Sequence, residues 1–342
     1  MRIGELGEFG IIDRIARCLP GGDDSVIVGI GDDVAVLRTA AEHYLLATCD
    51  IQVENVHFVR STTTPYQLGR KAIAINLSDI AAMGGQPSWA LVSLALPPDT
   101  LVEFVDELYR GMADQLNGAG ASLVGGNLSK IEQGIVIDVF LLGQAKAGQF
   151  LCRKGAREGD LILVTGTLGD SRAGLELLHS PELPVSEAAR QQVSAAHLTP
   201  WPRLVEGRIL AETGLVHAML DVSDGTLGDL RHVCEASGVG AEIWPMDLPI
   251  SSAAREVAAA VGRNAVDWAL TGGEDYELLF TAAAADASRL QKELAAKSGT
   301  PARVIGRILP AAEGIRLRHA DGSVESHEAE SGWDHFQERK LA

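Results

Sequence analysis

Residues 72–83, Ala-Ile-Ala-Ile-Asn-Leu-Ser-Asp-Ile-Ala-Ala-Met, run into Gly-Gly-Gln-Pro at 84–87 and then into Trp-Ala-Leu-Val-Ser-Leu-Ala-Leu at 89–96. The first stretch, extended back to Leu68, is Ala-rich and apolar at helical spacing. The glycines and proline stop it, and the apolar run after them reads as a strand. A helix that turns directly into a strand marks the chain as mixed α/β. On that helix Asn76 and Asp79 stand about one turn apart on a common side. Asp79 is conspicuous, because a carboxylate in so apolar a segment is expensive to bury without a partner.

Upstream, Ser25–Ile30 and Val34–Leu37 read as strands around a Gly-Asp-Asp turn, and Tyr44–Thr48 as a short strand that delivers Asp50 at its end. Downstream come an amphipathic helix at Leu101–Ala119 ended by Gly118 and Gly120, a strand at Ser122–Val124 entering the turn Gly125-Gly126-Asn127, and a strand at Ile135–Gly143. Polar, Gly-bearing sequence at 145–159 then divides the chain into units 1–148 and 149–342. The second unit opens with a strand at Leu161–Thr165, the turn Gly166–Gly169 and a helix at Ser171–Leu178. Helices are expected at Pro202–Thr213, Leu227–Ser237, Ala253–Val261 and Ala283–Ser298. A strand at Met219–Val222 carries Asp221, and Gly-Gly-Glu-Asp-Tyr-Glu at 272–277 forms an acidic turn before another strand. Residues 181–200, polar and Pro-bearing, fit no element.

At 342 residues and 46% hydrophobic, the chain is long enough for two cores, since single cores stop growing at about 250–300 residues. Two domains imply a cleft between them. The formal charge of −17, from 46 acidic and 29 basic residues, argues against a nucleic-acid groove or an anionic membrane as partner. Cys18, Cys49, Cys152 and Cys234 form no CxxC pair, so there is neither a zinc nor a disulfide signature, which suits a reducing compartment. The first residues lack the apolar stretch of a signal peptide, and no apolar run approaches the ~20 residues that cross a bilayer. A cytoplasmic protein is expected.

Acidic residues recur beside apolar runs: Gly-Ile-Gly-Asp-Asp at 29–33, Thr-Cys-Asp at 48–50, Asn-Leu-Ser-Asp at 76–79 and Asp-Val-Ser-Asp-Gly at 221–225. Carboxylates gathered without basic neighbours repel one another unless a hard cation such as Mg²⁺ intervenes, and Mg²⁺ shares itself between a few carboxylates and substrate phosphates. A plainer reading stands beside this one: Asp and Gly are common in ordinary turns, and Asp224 could simply N-cap the helix after it. No Walker A loop is present, and Gly-Ile-Gly-Asp-Asp-Val is not a GxGxxG opening a helix, so P-loop and dinucleotide readings fail. Gly125-Gly126-Asn127, Gly166–Gly169, Arg153 and Lys71 remain as phosphate contacts, with surface charge the alternative for the two cations. His57, in Val-Glu-Asn-Val-His-Phe, either lines a pocket with Phe58 or is a satisfied histidine.

Gly4-Glu-Leu-Gly-Glu-Phe9, Gly-Ile-Gly-Asp-Asp-Val-Ala-Val-Leu at 29–37, Lys71-Ala72, Asn-Leu-Ser-Asp-Ile-Ala-Ala-Met-Gly at 76–84, Thr-Gly-Thr-Leu-Gly-Asp-Ser at 165–171, Asp-Val-Ser-Asp-Gly at 221–225, Gly-Gly-Glu-Asp-Tyr-Glu-Leu at 272–278 and Gly-Trp-Asp-His-Phe at 332–336 occur in that order. The set resembles the thiamine-monophosphate kinase family over almost the whole chain. The resemblance implies a two-domain aminoimidazole-ribonucleotide-synthetase-like fold whose N-terminal domains join as a dimer barrel. It also implies ATP-dependent conversion of thiamine monophosphate to thiamine diphosphate. It makes Asp33, Asp50, Asp79, Asp221 and Asp224 magnesium ligands, with Thr48, Cys49 and Asn127 oxygens nearby. Tyr109, Gly125, Gly126, Asn127, Arg153 and Ser223 would contact the nucleotide, and His57, Glu274 and Trp333 the acceptor, the indole facing its cationic rings. The stretches Gly-Gly-Asn-Leu-Ser-Lys at 125–130 and Cys-Asp-Ile-Gln-Val-Glu-Asn at 49–55 depart from the family pattern: among other changes, Asn127 replaces a carboxylate, Lys130 an Arg, and Cys49 a Thr. A paralogue acting on another phosphorylated molecule, and a catalytically silent nucleotide-binding protein, are the alternatives these changes raise.

Overall fold

The computed structural model describes residues 3–18, 24–39 and 42–327. The first half runs α1 (Ile3–Cys18), β1 (Val26–Val28), β2 (Ala35–Arg38), β3 (His43–Val53), α2 (Pro65–Ala82), β4 (Gln86–Leu96), α3 (Val102–Ala119), β5 (Ser122–Lys130) and β6 (Val136–Lys146). Its strands make one sheet in the order β1-β2-β3-β6-β4-β5, antiparallel except for the edge pair β4–β5. Helix α2 starts three residues before the expected Leu68: Thr64 and Gln67 form a capping box and Pro65 sits in the first turn. It stops at Gly84, whose φ of +67° suits glycine. With α3 it covers one face of the sheet, the two helices crossing closely at paired glycines. A Cβ at Gly69 would stand 2.0 Å from the Leu108 carbonyl oxygen, and one at Gly111 2.1 Å from that of Tyr66.

The second half runs β7 (Leu161–Thr165), α4 (Asp170–His179), α5 (Glu187–Leu198), α6 (Leu204–Thr213), β8 (Val216–Asp221), α7 (Thr226–Ser237), β9 (Val239–Ile243), α8 (Ser252–Ala260), α9 (Ala265–Thr271), β10 (Leu278–Ala282), α10 (Ala284–Lys297), β11 (Ala302–Pro310), β12 (Ile315–Arg318) and β13 (Val324–Ser326). Its sheet has the order β13-β12-β9-β11-β7-β10-β8, with only β9–β12 parallel. One core cluster of this half, built from Leu163, Leu210, Met219, Phe280 and Leu290, also takes in Ala81 and Ala82 of α2. The approach is close, since a Cβ at Gly207 would lie 2.1 Å from the Ala81 carbonyl oxygen. Helix α2 therefore belongs to both cores and brings Ser78 and Asp79 to the junction between them. No described helix is long and apolar enough to cross a membrane.

Four expectations need correction. Strand β3 continues to Val53, so Asp50 lies within it, paired with Val139, and not at its tip. Gly125-Gly126-Asn127 is not a turn but part of β5, where a Cβ at Gly126 would meet the Val92 carbonyl oxygen at 2.0 Å. The N-cap of α7 is Gly225, with φ +105°, not Asp224. Residues 187–198 of the unplaced segment form α5, capped by the Ser186 side chain.

Candidate active site

The junction gathers carboxylates from four elements. Thr48 Oγ1 on β3 donates to Asp79 Oδ2 at 2.5 Å, and Ser78 Oγ donates to Asp221 Oδ2, at the end of β8, also at 2.5 Å. Strand alternation puts Asp50 on the same face of β3 as Thr48. From the β1–β2 turn, Asp33 Oδ1 accepts from Arg153 Nε at 2.9 Å and from Nη2, while Asp32 accepts the Arg153 backbone N–H at 3.2 Å. The carboxylates are therefore not without a basic neighbour, as the sequence had suggested. Arg153 is committed to Asp33 here and not extended toward open space.

Mutual repulsion is written in the proton affinities. Burial lifts Asp50 to about 6, with Asp138 and Asp33 adding to it. Burial, then Asp33, lifts Asp221 to about 8 against the Ser78 hydrogen bond. Asp32 rises to about 6 through burial and Asp33, and Asp33 itself rises because burial outweighs Arg153. Asp79 lies well above the usual carboxylate range through burial and the charges of Asp50, Asp221 and Asp33. Asp33, Asp50, Asp79 and Asp221 thus share one electrostatic neighbourhood. Asp229, which sequence reasoning missed, extends it: burial, Asp224 and Asp221 push it well up, and its carboxylate accepts the Asp224 N–H at 3.2 Å. Its place in the first turn after Asp-Gly-Thr was the available signal.

Does this group fit Mg²⁺? Asp33 Oδ2 is buried with no hydrogen-bond partner, an acceptor left for a ligand. Among the described residues no three His, Cys, Asp or Glu side chains close around a point as a ready metal cage. Mg²⁺ takes one or two carboxylates and completes its shell with substrate oxygens and water. The donor set, all hard oxygens, fits the ion.

Other expected residues fall elsewhere. Cys49 and Asn127 lie on the opposite, outer face of the first sheet: Asn127 stands in the cross-strand row Ser93–Asp138–Ile51, exposed on the edge strand. Tyr109 packs half-buried on α3 against the first core, and burial alone raises its phenol. The Ser223 carbonyl accepts the Glu274 N–H at 2.7 Å, stitching the Asp221–Asp224 turn to the Gly-Gly-Glu turn. Gly166–Gly169 is not an open phosphate cradle. Gly166 N–H goes to the Pro301 carbonyl, Leu168 N–H to that of Pro249, and Gly169 and Ser171 N–H to the Asp275 carboxylate. Trp333 lies outside the described residues.

Glu274 organises the other end of the site. It follows Gly272-Gly273 with φ +66°, a left-handed conformation rare for Glu. Its carboxylate receives Lys71 Nζ at 2.7 Å from α2 and faces His197 Nδ1 at 3.3 Å from α5. Burial pushes Glu274 up, but Lys71 and His197, helped by His57, hold it below its ordinary value. His57 therefore joins the Glu274 side, with Nδ1 accepting the Val53 N–H at 3.0 Å. Lys71, expected near phosphate or on the surface, is instead buried against Glu274, its side chain 5% exposed.

Two packed α/β domains sharing a carboxylate-lined junction define the class. The family model described as AIR synthase related protein, N-terminal domain, matches residues 31–145, and that for the C-terminal domain matches 157–317. Within that class the chain is 37% identical to the thiamine-monophosphate kinase of Haemophilus influenzae over 98% of this chain and 99% of that protein. It is 43% identical to the thiamine-monophosphate kinase of Aquifex aeolicus over 82% of this chain and 87% of that one. A solved structure described as AaThiL complexed with AMPPCP and TMP superposes with a TM-score of 0.84 at 38% identity, covering 98% of this chain and 99% of that chain. The chain belongs to the thiamine-monophosphate kinase family.

Proposed function

We propose that this chain transfers the γ-phosphoryl group of ATP to the phosphate of thiamine monophosphate, giving thiamine diphosphate and ADP. The observation that carries the reading is the full-length likeness to thiamine-monophosphate kinases, including one solved with an ATP analogue and TMP, around a junction of mutually repelling aspartates. Incubation of the purified chain with Mg-ATP and thiamine monophosphate tests it. Equal formation of thiamine diphosphate and ADP is expected, and ADP alone would point to another acceptor.

Asp33, Asp50, Asp79 and Asp221 would hold magnesium, with Asp224 flanking and Thr48 beside Asp79; Cys49 and Asn127, on the outer face of the sheet, are left out of that set. Magnesium, when bound, neutralises charge developing on the transferring phosphoryl group. The protein's own part is alignment. The attacking oxygen belongs to a phosphate already ionised at neutral pH, so no side-chain base is required, and the step is a direct in-line transfer. Arg153, freed from Asp33, would contact the nucleotide with Tyr109, Gly125, Gly126 and Ser223, while Glu274, His57 and Trp333 receive the thiamine moiety.

The domain boundary proposed is 148/149, which falls between the two sheets at 26–146 and 161–326. The proposal also includes a cytoplasmic homodimer. On the outer face of the first sheet Trp89 (52% exposed), Leu91, Phe140 and Ile51 present one apolar surface across β4, β6 and β3. Such a surface suits burial against a second copy. Sedimentation of the native chain and of Trp89→Asp tests this: a dimer and a monomer are expected, and a monomeric native chain would end the idea.

A further inference from the structure

The Lys71–Glu274–His197 group has more built into it than holding the fold requires. An ammonium and an imidazole from two different helices converge on one carboxylate whose backbone is held left-handed. Glu274 stays 28% exposed at the side chain, so it still has an open side. Nδ1 of His197 faces two oxygens, Glu274 Oε2 at 3.3 Å and Ser171 Oγ at 3.0 Å. The hydrogen bond at Nδ1 is the one shared with Ser171 Oγ, and it fixes the ring edge-on beside the Glu274 carboxylate. Burial, then Lys71, holds the imidazole down to about 4, so near neutral pH Lys71 is the cation that faces Glu274 and His197 packs beside it. Lys71 and Ser78 are seven residues apart on α2, about 10 Å along its axis. Helix α2 thus carries a carboxylate-fixing cation at one end and the partner of Asp221 at the other.

From this geometry, and resting on the kinase reading above, we infer that Lys71 and His197 are positioning residues for the acceptor. Together they fix the Glu274 carboxylate so that it is aimed to receive the cationic heterocycle of thiamine monophosphate while the aspartates handle the phosphates. His197 makes no contact with reacting atoms; it acts through Glu274. A loss here weakens acceptor binding and leaves the nucleotide side alone.

The test is steady-state kinetics of the full-length enzyme as His197→Leu and His197→Asn, with thermal melting of each. Asn offers an amide that can keep the hydrogen bond to Ser171 Oγ, whereas Leu fills the space without one. Expected is an acceptor KM raised about tenfold in H197L, an unchanged KM for ATP, and recovery of the acceptor KM to within about threefold in H197N. Should H197L melt early, H197N and Lys71→Met are compared at a temperature where all are folded, and K71M is expected to show the same split. An unchanged acceptor KM in folded H197L or K71M, or equal rises in both KM values, would overturn the inference while leaving the kinase reading intact. A native enzyme that makes no thiamine diphosphate would overturn both.

Discussion

The two ends of α2 treat negative charge in opposite ways. Around Asp79 the carboxylates lift one another's proton affinity, Asp221 to about 8, against Arg153 and the hydroxyls of Ser78 and Thr48. Around Glu274 a buried lysine and a histidine lower it. Both regions are buried and acidic, so burial alone does not separate them; the neighbours do. A site with uncompensated charge takes a cation with its ligand. A site whose charge is already balanced presents an oriented anion, which suits a ligand bearing its own positive ring.

The largest effect that would break this contrast is the removal of one repelling charge. Asp79→Asn keeps an acceptor for Thr48 but discards a charge that Asp33, Asp50 and Asp221 oppose. Activity should fall roughly a thousandfold, the scale of losing a preorganised electrostatic group. Melting in EDTA should be unchanged or a few degrees higher, since about 1 kcal/mol moves Tm by about 2–4 °C at this domain size. A variant with native turnover would remove Asp79 from the site. Glu274→Gln should do the reverse to stability: with Lys71 left buried and unpaired, the melting point drops.

The pH response sharpens the same contrast. Asp32 and Asp50, near 6, and Asp221, near 8, have folded-state values above those of the unfolded chain. The folded state therefore holds more protons, and the stability these groups contribute is complete below about 4 and is lost as pH rises through 6 to 8. Metal competes with those protons, so the rise in melting point on adding Mg²⁺ should be small at pH 5 and several degrees at pH 8. A shift independent of pH would mean that the ion binds elsewhere.

Much of this was readable beforehand where local pattern and tertiary role agree. Leu161–Thr165 is a strand to the residue, and α2 stops at the glycines that end its apolar run, although its Thr64-Pro65 start precedes the Leu68 expected. Reading failed where function inverts the pattern. Strand β3 was cut short because its inward residues Thr48, Asp50 and Gln52 are polar, facing a site and not a core. Gly125-Gly126 looked like a turn, yet Gly126 is small because a parallel strand passes too close for a side chain. Helix α5 has only Ala189, Val193 and His197 buried, too little for a hydrophobic signal. The pairing of His197 and Lys71 with Glu274 spans residues 71, 197 and 274, and no local motif encodes that.

The smallest expected effect probes the edge strand at Asn127 and Lys130. Both residues are exposed on β5, and Asn127 shares a cross-strand row with Asp138, whose charge already reaches Asp50 through the sheet. Asn127→Asp would add a charge that the metal-free protein opposes and bound Mg²⁺ welcomes. Lys130→Arg would add a bidentate fork suited to phosphate. Because both positions are solvent-screened, each change should be worth no more than about 1 kcal/mol. The double variant should then lower the KM for Mg-ATP about two- to fivefold, with the gain growing as free Mg²⁺ rises and the acceptor KM unmoved. A gain insensitive to Mg²⁺ would assign the effect to Lys130→Arg alone, through the contact of the new guanidinium with phosphate. A loss of affinity would show that an amide at position 127 serves Mg-ATP binding better than a carboxylate.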